Sequence, residues 1–176
     1  MLKASMALAA LLLVAGTAHA QTSNPIAEGL LAEMGPHQRN MVGSAEAMPE
    51  EKYTFKPTPP QITFADAIVH AAMANNSLCS LLAGEKAPET AVKATGTKEA
   101  LVDQLKASFA YCQQAIPKLD PATLGQEVSM MNRKVSKAFV ALHTALDWGD
   151  HYAQVAMMLR LSGIVPPSAQ PRPVTK

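Results

Sequence analysis

The sequence has 176 residues, a formal net charge of +1 from 15 basic and 14 acidic side chains, and only 5% aromatic residues. It shows no basic stripe, and the few aromatics are not interleaved with Lys or Arg, which argues against a nucleic-acid partner. The length suits one domain able to bury a real core.

Residues 1–20 read as a secretory leader. Lys3 gives a positive start, residues 7–15 (ALAALLLVA) are an apolar run too short to span a bilayer, and Ala18-His19-Ala20 puts small residues where a signal peptidase reads. The expectation is an exported protein, periplasmic or secreted, that begins at Gln21 after cleavage. Without Lys3, 14 basic residues balance 14 acidic ones. No later apolar run is long enough to cross a membrane, so no membrane partner is expected once the leader is removed.

Residues 21–35 read as a weakly helical lead-in that Gly35-Pro36 interrupts, because proline cannot continue a helix but sits well in a first turn. The first helix is expected from Pro36 to about Met48, ended by Pro49. Met34, Met41 and Met48 recur every seven residues. In an oxidising compartment that invites a copper set, but heptad-spaced thioethers fill the gaps between helices, and a core stripe is the stronger reading. Residues 49–60 (PEEKYTFKPTPP) form an extended loop in which Tyr53 and Phe55 tuck inward while Lys52 and Lys56 face water.

Thr63 and Asp66 have the spacing of a capping box and open the second helix, which Gly84 stops. Its inward stripe is Phe64, Ile68, Ala71, Asn75, Leu78, Cys79 and Leu82. Asn75-Asn76-Ser77 matches a glycosylation triplet, but in mid-helix it reads as chance. After a polar linker over 84–97, Thr97 caps a third helix with Leu101, Leu105, Phe109, Cys112 and Ile116 on one face and Pro117 as its breaker. Asp120-Pro121 opens a short helical turn. The fourth helix is expected from near Lys134 to about Ser162, ending at Gly163. Residues 165–176, with Pro166, Pro167, Pro171 and Pro173, read as an extended, mobile tail. With no strand pattern, residues 36–164 are expected to form an all-α four-helix bundle.

The only cysteines, Cys79 and Cys112, would persist as a disulfide in an exported chain, against the alternative of two buried thiols. Cys79 lies 16 residues after Thr63 and Cys112 lies 15 after Thr97, or ~24 and ~23 Å along their helices. Parallel second and third helices bring the two level, whereas antiparallel ones separate them by about 15 Å, too far for a bond. The linker over 84–97 can span ~46 Å, enough for the crossover that parallel neighbours need. An up-down-down-up order follows.

The loop at 48–59 (MPEEKYTFKPTP), then Phe64 and His70, then His151-Tyr152 and the ending Leu159-Arg160-Leu161-Ser162-Gly163-Ile164-Val165-Pro166-Pro167 resemble the DinB-like superfamily. The likeness runs from about residue 40 to 167 and is closest to an exported, functionally obscure bacterial branch. The resemblance implies an up-down-down-up bundle. It also implies a divalent metal, zinc or nickel, held by a histidine of the second helix and a His-x-x-x-His pair on the fourth. Better-studied relatives include metal-dependent transferases of low-molecular-weight thiols, and dimers are common, which implies a homodimer here.

His70 and His151 match that pattern, but the position four before His151 is Asp147. Carboxylate is a legitimate ligand, so the expected metal set is His70, Asp147 and His151. Asp147 is the only charge from Ala138 to Gly149, so burial or half-burial is expected, with a partner. It shares one continuous face with Val140, Thr144, His151, Val155 and Met158. The alternative pairs Asp147 with His151 directly, as a metal-free polar cluster or a dimer seam. His143, one turn before Asp147, is placed behind the site or at the surface, as an alternative ligand. His37 reads as an ordinary surface histidine.

No catalytic nucleophile stands out. Two functions remain: a metal-dependent hydrolase or transferase, or a non-catalytic helical module that binds a small ligand or partner through the same cleft, at a degenerate metal site.

Overall fold

The computed structural model describes residues 24–171, so the leader expected at 1–20 lies outside the described residues, as do residues 172–176. The first helix, α1, runs from Pro25 to Ala47, with Asn24 accepting from the Ala27 amide and Pro25 in the first turn. Pro36 therefore lies inside α1 and does not divide a lead-in from a helix, contrary to the expectation. An internal proline costs ~3 kcal/mol. Leu30 and Met34 before it and Met41 after it are all buried, each contributing about 1.5–3 kcal/mol, so packing on both sides outweighs the break. Met34, Met41 and Met48 are core residues.

The loop after α1 makes one 3-10 turn at Glu50–Lys52 and is then pinned to the next helix. Tyr53 is buried, its hydroxyl donates to the Ala45 carbonyl at 2.6 Å, and its ring packs edge-on against Phe64. Lys52 is not simply solvated, since its ammonium donates to the Ser162 carbonyl at 3.0 Å. The second helix, α2, spans Phe64–Ala83, opened by the reciprocal Thr63–Asp66 capping box and closed by Gly84 in a left-handed conformation. The third, α3, spans Lys98–Ala115 under a Thr97 cap. Short 3-10 turns follow at Ile116–Lys118 and Pro121–Thr123.

A β-hairpin that the sequence reading did not anticipate comes next. Strands β1 (Glu127–Met130) and β2 (Arg133–Ser136) pair antiparallel, with Met130 opposite Arg133. Met131 and Asn132, the two loop residues, have positive φ of 49° and 60°. That is the type I′ turn whose twist suits tight hairpins. The last helix, α4, consequently starts later than expected and spans Lys137–Leu161, capped by Ser136. The tail is partly docked: a 3-10 turn at Pro167–Ala169 places Ser168 on Tyr152, whose hydroxyl accepts from the Ser168 amide at 3.1 Å.

Helix directions follow from paired contacts. Asn75 meets Ser108 and Cys79 bonds Cys112, so contacts advance four residues along both helices, and α2 and α3 are parallel. His70 lies beside His151 and Asn75 beside Trp148, so α4 runs against α2. Lys98 at the start of α3 donates to the carbonyls of Glu46 and Met48 at the end of α1, so those two are antiparallel. The order is up-down-down-up.

The Cys79–Cys112 bond joins Cα atoms 5.3 Å apart across a sequence separation of 33. Closing such a loop in the unfolded chain contributes about 3–4 kcal/mol on the chain-entropy account. The double variant Cys79→Ala/Cys112→Ala is expected to lose that amount in urea denaturation under non-reducing conditions. An unchanged midpoint would show that the bond adds nothing to stability.

Candidate functional site

The continuous face read on α4 is its inward face. Val140, Thr144, Val155 and Met158 are fully or nearly fully buried, and His151 is 8% exposed. Asp147 is half-buried on the same stripe. Its carboxylate Oδ2 lies 3.0 Å from His151 Nδ1, one helical turn on. From α2, the exposed His70 brings its ring edge-on to His151, with centroids 4.9 Å apart. The three residues expected to act together are thus neighbours where α2 and α4 cross.

Burial works to lower the His151 pKa, but the hydrogen bond and negative charge of Asp147, with a smaller contribution from Asp150, outweigh it and raise the imidazole above its ordinary value. The pair has the chemistry of a carboxylate that orients and charges a histidine.

Beside the pair opens a cleft of about 360 Å³ between α2, α4 and the hairpin. Its walls include Met73, Leu78, Leu81, Met130 and Met131, and His70 and Asp147 are the titratable groups that reach it. The hairpin wall was missed in the sequence, although Val128-Ser129-Met130 alternates polar and apolar with period two, and Met130 is buried where Ser129 is exposed.

His143 does not join the cluster. Its ring stacks on Phe139 with centroids 5.9 Å apart, and its Nε2 is buried without a partner. His37 is half-buried, not an ordinary surface side chain, with a buried, unpartnered Nδ1 and its ring near Gly149 of α4.

Whether the expected ligands fit a metal turns on their separations. Two imidazoles on one tetrahedral ion place their ring centres ~5 Å apart, and adjacent donor atoms ~3.3 Å apart, at metal bonds of about 2.0–2.1 Å. The His70–His151 ring separation of 4.9 Å and the Asp147–His151 contact of 3.0 Å are of that size. As a trio the set is not closed: among the described residues no group of three or more His, Cys, Asp or Glu is placed to hold a metal ion. The exposed His70 would have to turn onto the Asp147–His151 pair to complete it.

The family model of the DinB superfamily matches residues 36–155. The chain belongs to the DinB superfamily. Among solved structures, this DinB-superfamily chain is similar to a DinB-like protein from Bacillus cereus at 15% identity and a TM-score of 0.65, covering 80% of this chain and 95% of that one. It is similar to a DinB-like protein from Bacillus subtilis at 18% identity and the same TM-score of 0.65, covering 85% and 100%. At these identities the likeness establishes the shared fold. No curated protein matches the chain.

The raised His151 pKa gives a signed expectation for the metal-free protein. Stability from the charged pair is fully present below the unfolded value of ~6.5 and is lost as pH rises through the higher folded value. In urea denaturation with chelator, the gap between wild type and Asp147→Asn should be widest near pH 5.5–6 and narrow towards pH 8.5. A gap that widens with pH would reverse the assignment.

Proposed function

We propose that this is an exported DinB-superfamily protein that binds a small molecule in the cleft between α2 and α4, through a zinc or nickel ion held by His70, Asp147 and His151. The observation that carries the reading is that His151 has Asp147 of its own helix and His70 of the antiparallel α2 as neighbours, with His70 and Asp147 both lining an apolar cleft. Two histidines and a carboxylate suit a borderline divalent cation and leave coordination positions free for a ligand. When bound, such an ion would polarise a ligand oxygen or lower the pKa of a water or thiol, the basis of hydrolase or transferase chemistry. The chain itself contributes the apolar walls of the cleft and, before an ion enters, the Asp147 carboxylate that holds His151 in place.

The test is metal content and zinc titration of the purified protein. Asp147→Ala or His151→Ala should lose most of the bound metal, whereas His143→Ala keeps it. Affinity should fall as pH drops through the raised pKa of His151, above the ordinary imidazole value, because the proton competes with the ion for the ring nitrogen. Wild-type protein that neither carries nor takes up zinc or nickel sinks the reading.

The direct Asp147–His151 contact favours a second reading, a non-catalytic binding module in which this pair alone forms the polar end of the cleft. A protein without metal that still binds small molecules in the cleft would establish it.

Export belongs to the same proposal. Its support is the Lys3 start, the apolar run over 7–15 and the Ala18-His19-Ala20 end, together with a disulfide that suits an oxidising compartment. Mass spectrometry of the exported chain should find an N-terminus at Gln21 or its cyclised form. A retained Met1 in the exported fraction would refute it.

A further inference from the structure

Most methionines of this fold are core residues, Met34, Met41 and Met48 among them. Met131 is not. It occupies the first loop position of a type I′ turn with φ 49°, where Asn, Asp or Gly is favoured and a long side chain is strained. It is also 70% exposed, so core packing does not offset the strain. Met73 stands on α2, 49% exposed, three residues after the exposed His70. That spacing puts the two side chains one turn apart on one face of the helix. His70, Met73 and Met131 all line the cleft between α2, α4 and the hairpin, so one imidazole and two thioethers border the same space from two elements. A backbone outlier at such a place points to function.

We infer that His70, Met73 and Met131 form a binding site for Cu(I). The donor set selects the ion. Thioether sulfur is soft and uncharged and suits monovalent copper, and imidazole suits copper as well. Zinc draws instead on thiolate, imidazole and carboxylate, and the harder cations on oxygen. A neutral donor set beside apolar walls also favours a single positive charge over a double one, because every charge taken out of water costs solvation. Each methionine side chain turns about three bonds, which gives the sulfurs of α2 and the hairpin the reach to share one ion with the imidazole. Asp147 at the same cleft is engaged by His151, so His70 is the nitrogen donor on this side. The site does not use Asp147 or His151 and stands without the zinc or nickel reading above. The two readings share His70 alone, which serves one ion at a time.

The test titrates the purified protein with Cu(I), held reduced by ascorbate in the absence of oxygen, against bicinchoninate as the competing chelator. The methionine methyl groups carry 13C. One equivalent is expected to bind, with saturable methyl shifts at Met73 and Met131 while the buried Met34, Met41 and Met48 stay still. Met131→Asn suits the turn better, so it should raise the melting temperature of the copper-free protein while weakening Cu(I) about tenfold or more. Met73→Leu should weaken Cu(I) similarly with the turn untouched. Met157→Leu, at a methionine 39% exposed that does not line the cleft, should leave the affinity as it was. No Cu(I) taken from the chelator, or unchanged affinity in both Met73→Leu and Met131→Asn, overturns the inference even if the protein binds zinc. Cu(I) held at these methionines by a protein that takes up neither zinc nor nickel upholds it and overturns only the reading above.

Discussion

The side-chain amide of Asn75 ties three helices at one buried point, and the placement of the site depends on it. Asn75 is 2% exposed, donates to Ser108 Oγ of α3 at 2.9 Å and accepts from the Trp148 indole of α4 at 2.8 Å. A buried polar group left unpaired costs ~1–3 kcal/mol, so sliding or rotating either neighbour against α2 is opposed by desolvated donors and acceptors. One turn on from Asn75, the Cys79–Cys112 bond closes the same α2–α3 seam covalently. Trp148 directly follows Asp147, so the bond that anchors the indole also sets the rotation of α4 about its axis. A one-residue slip would turn that face by about 100°. Asp147 and His151 would leave the α2 side, and Val140 and Val155 would leave the core.

Much of this frame was legible from local chemistry. The Thr63–Asp66 box, the Thr97 cap and the Gly84 stop gave helix ends that the structure matches within a residue, because caps satisfy backbone groups that nothing else nearby can satisfy. Cysteine positions along those helices gave their relative direction. What escaped was decided by tertiary packing. Pro36 signalled a boundary, but buried side chains on both sides carry α1 through it. The hairpin's alternation covers four residues per strand, too short to stand out beside helical periodicity. Asn75 was placed correctly on the inward stripe. Its role needed the positions of Ser108 and Trp148, 33 and 73 residues away in sequence.

For the site, the sequence supplied the three residues and the face of α4, while their mutual arrangement is a tertiary fact. The i, i+4 spacing brings Asp147 to His151 whatever else happens, so that contact by itself says little about purpose. His70 is different. It reaches His151 from another helix, through a register that the Asn75 junction imposes. The cleft beside them is likewise assembled from distant pieces, since Met73 and Leu81 come from α2 and Met130 and Met131 from the hairpin that delays the start of α4. The unread hairpin is therefore the piece that turns two facing helices into a pocket.

Asp147 in place of a second histidine changes the resting state of such a site. Two neutral histidines on one turn would leave ring nitrogens that ask for a donor or an ion. A carboxylate beside His151 makes a self-sufficient pair, its charge met by an imidazole whose pKa that same charge raises. An ion entering here would have to displace a proton from His151 and draw Asp147 away from it, so the stability of the pair is subtracted from the affinity for metal. In return, the half-buried charge of Asp147 is compensated in the unliganded pair. The departure from the histidine pattern therefore favours a pair that is stable without an ion, and any ion that the site took would bind better as pH rises and His151 loses its proton.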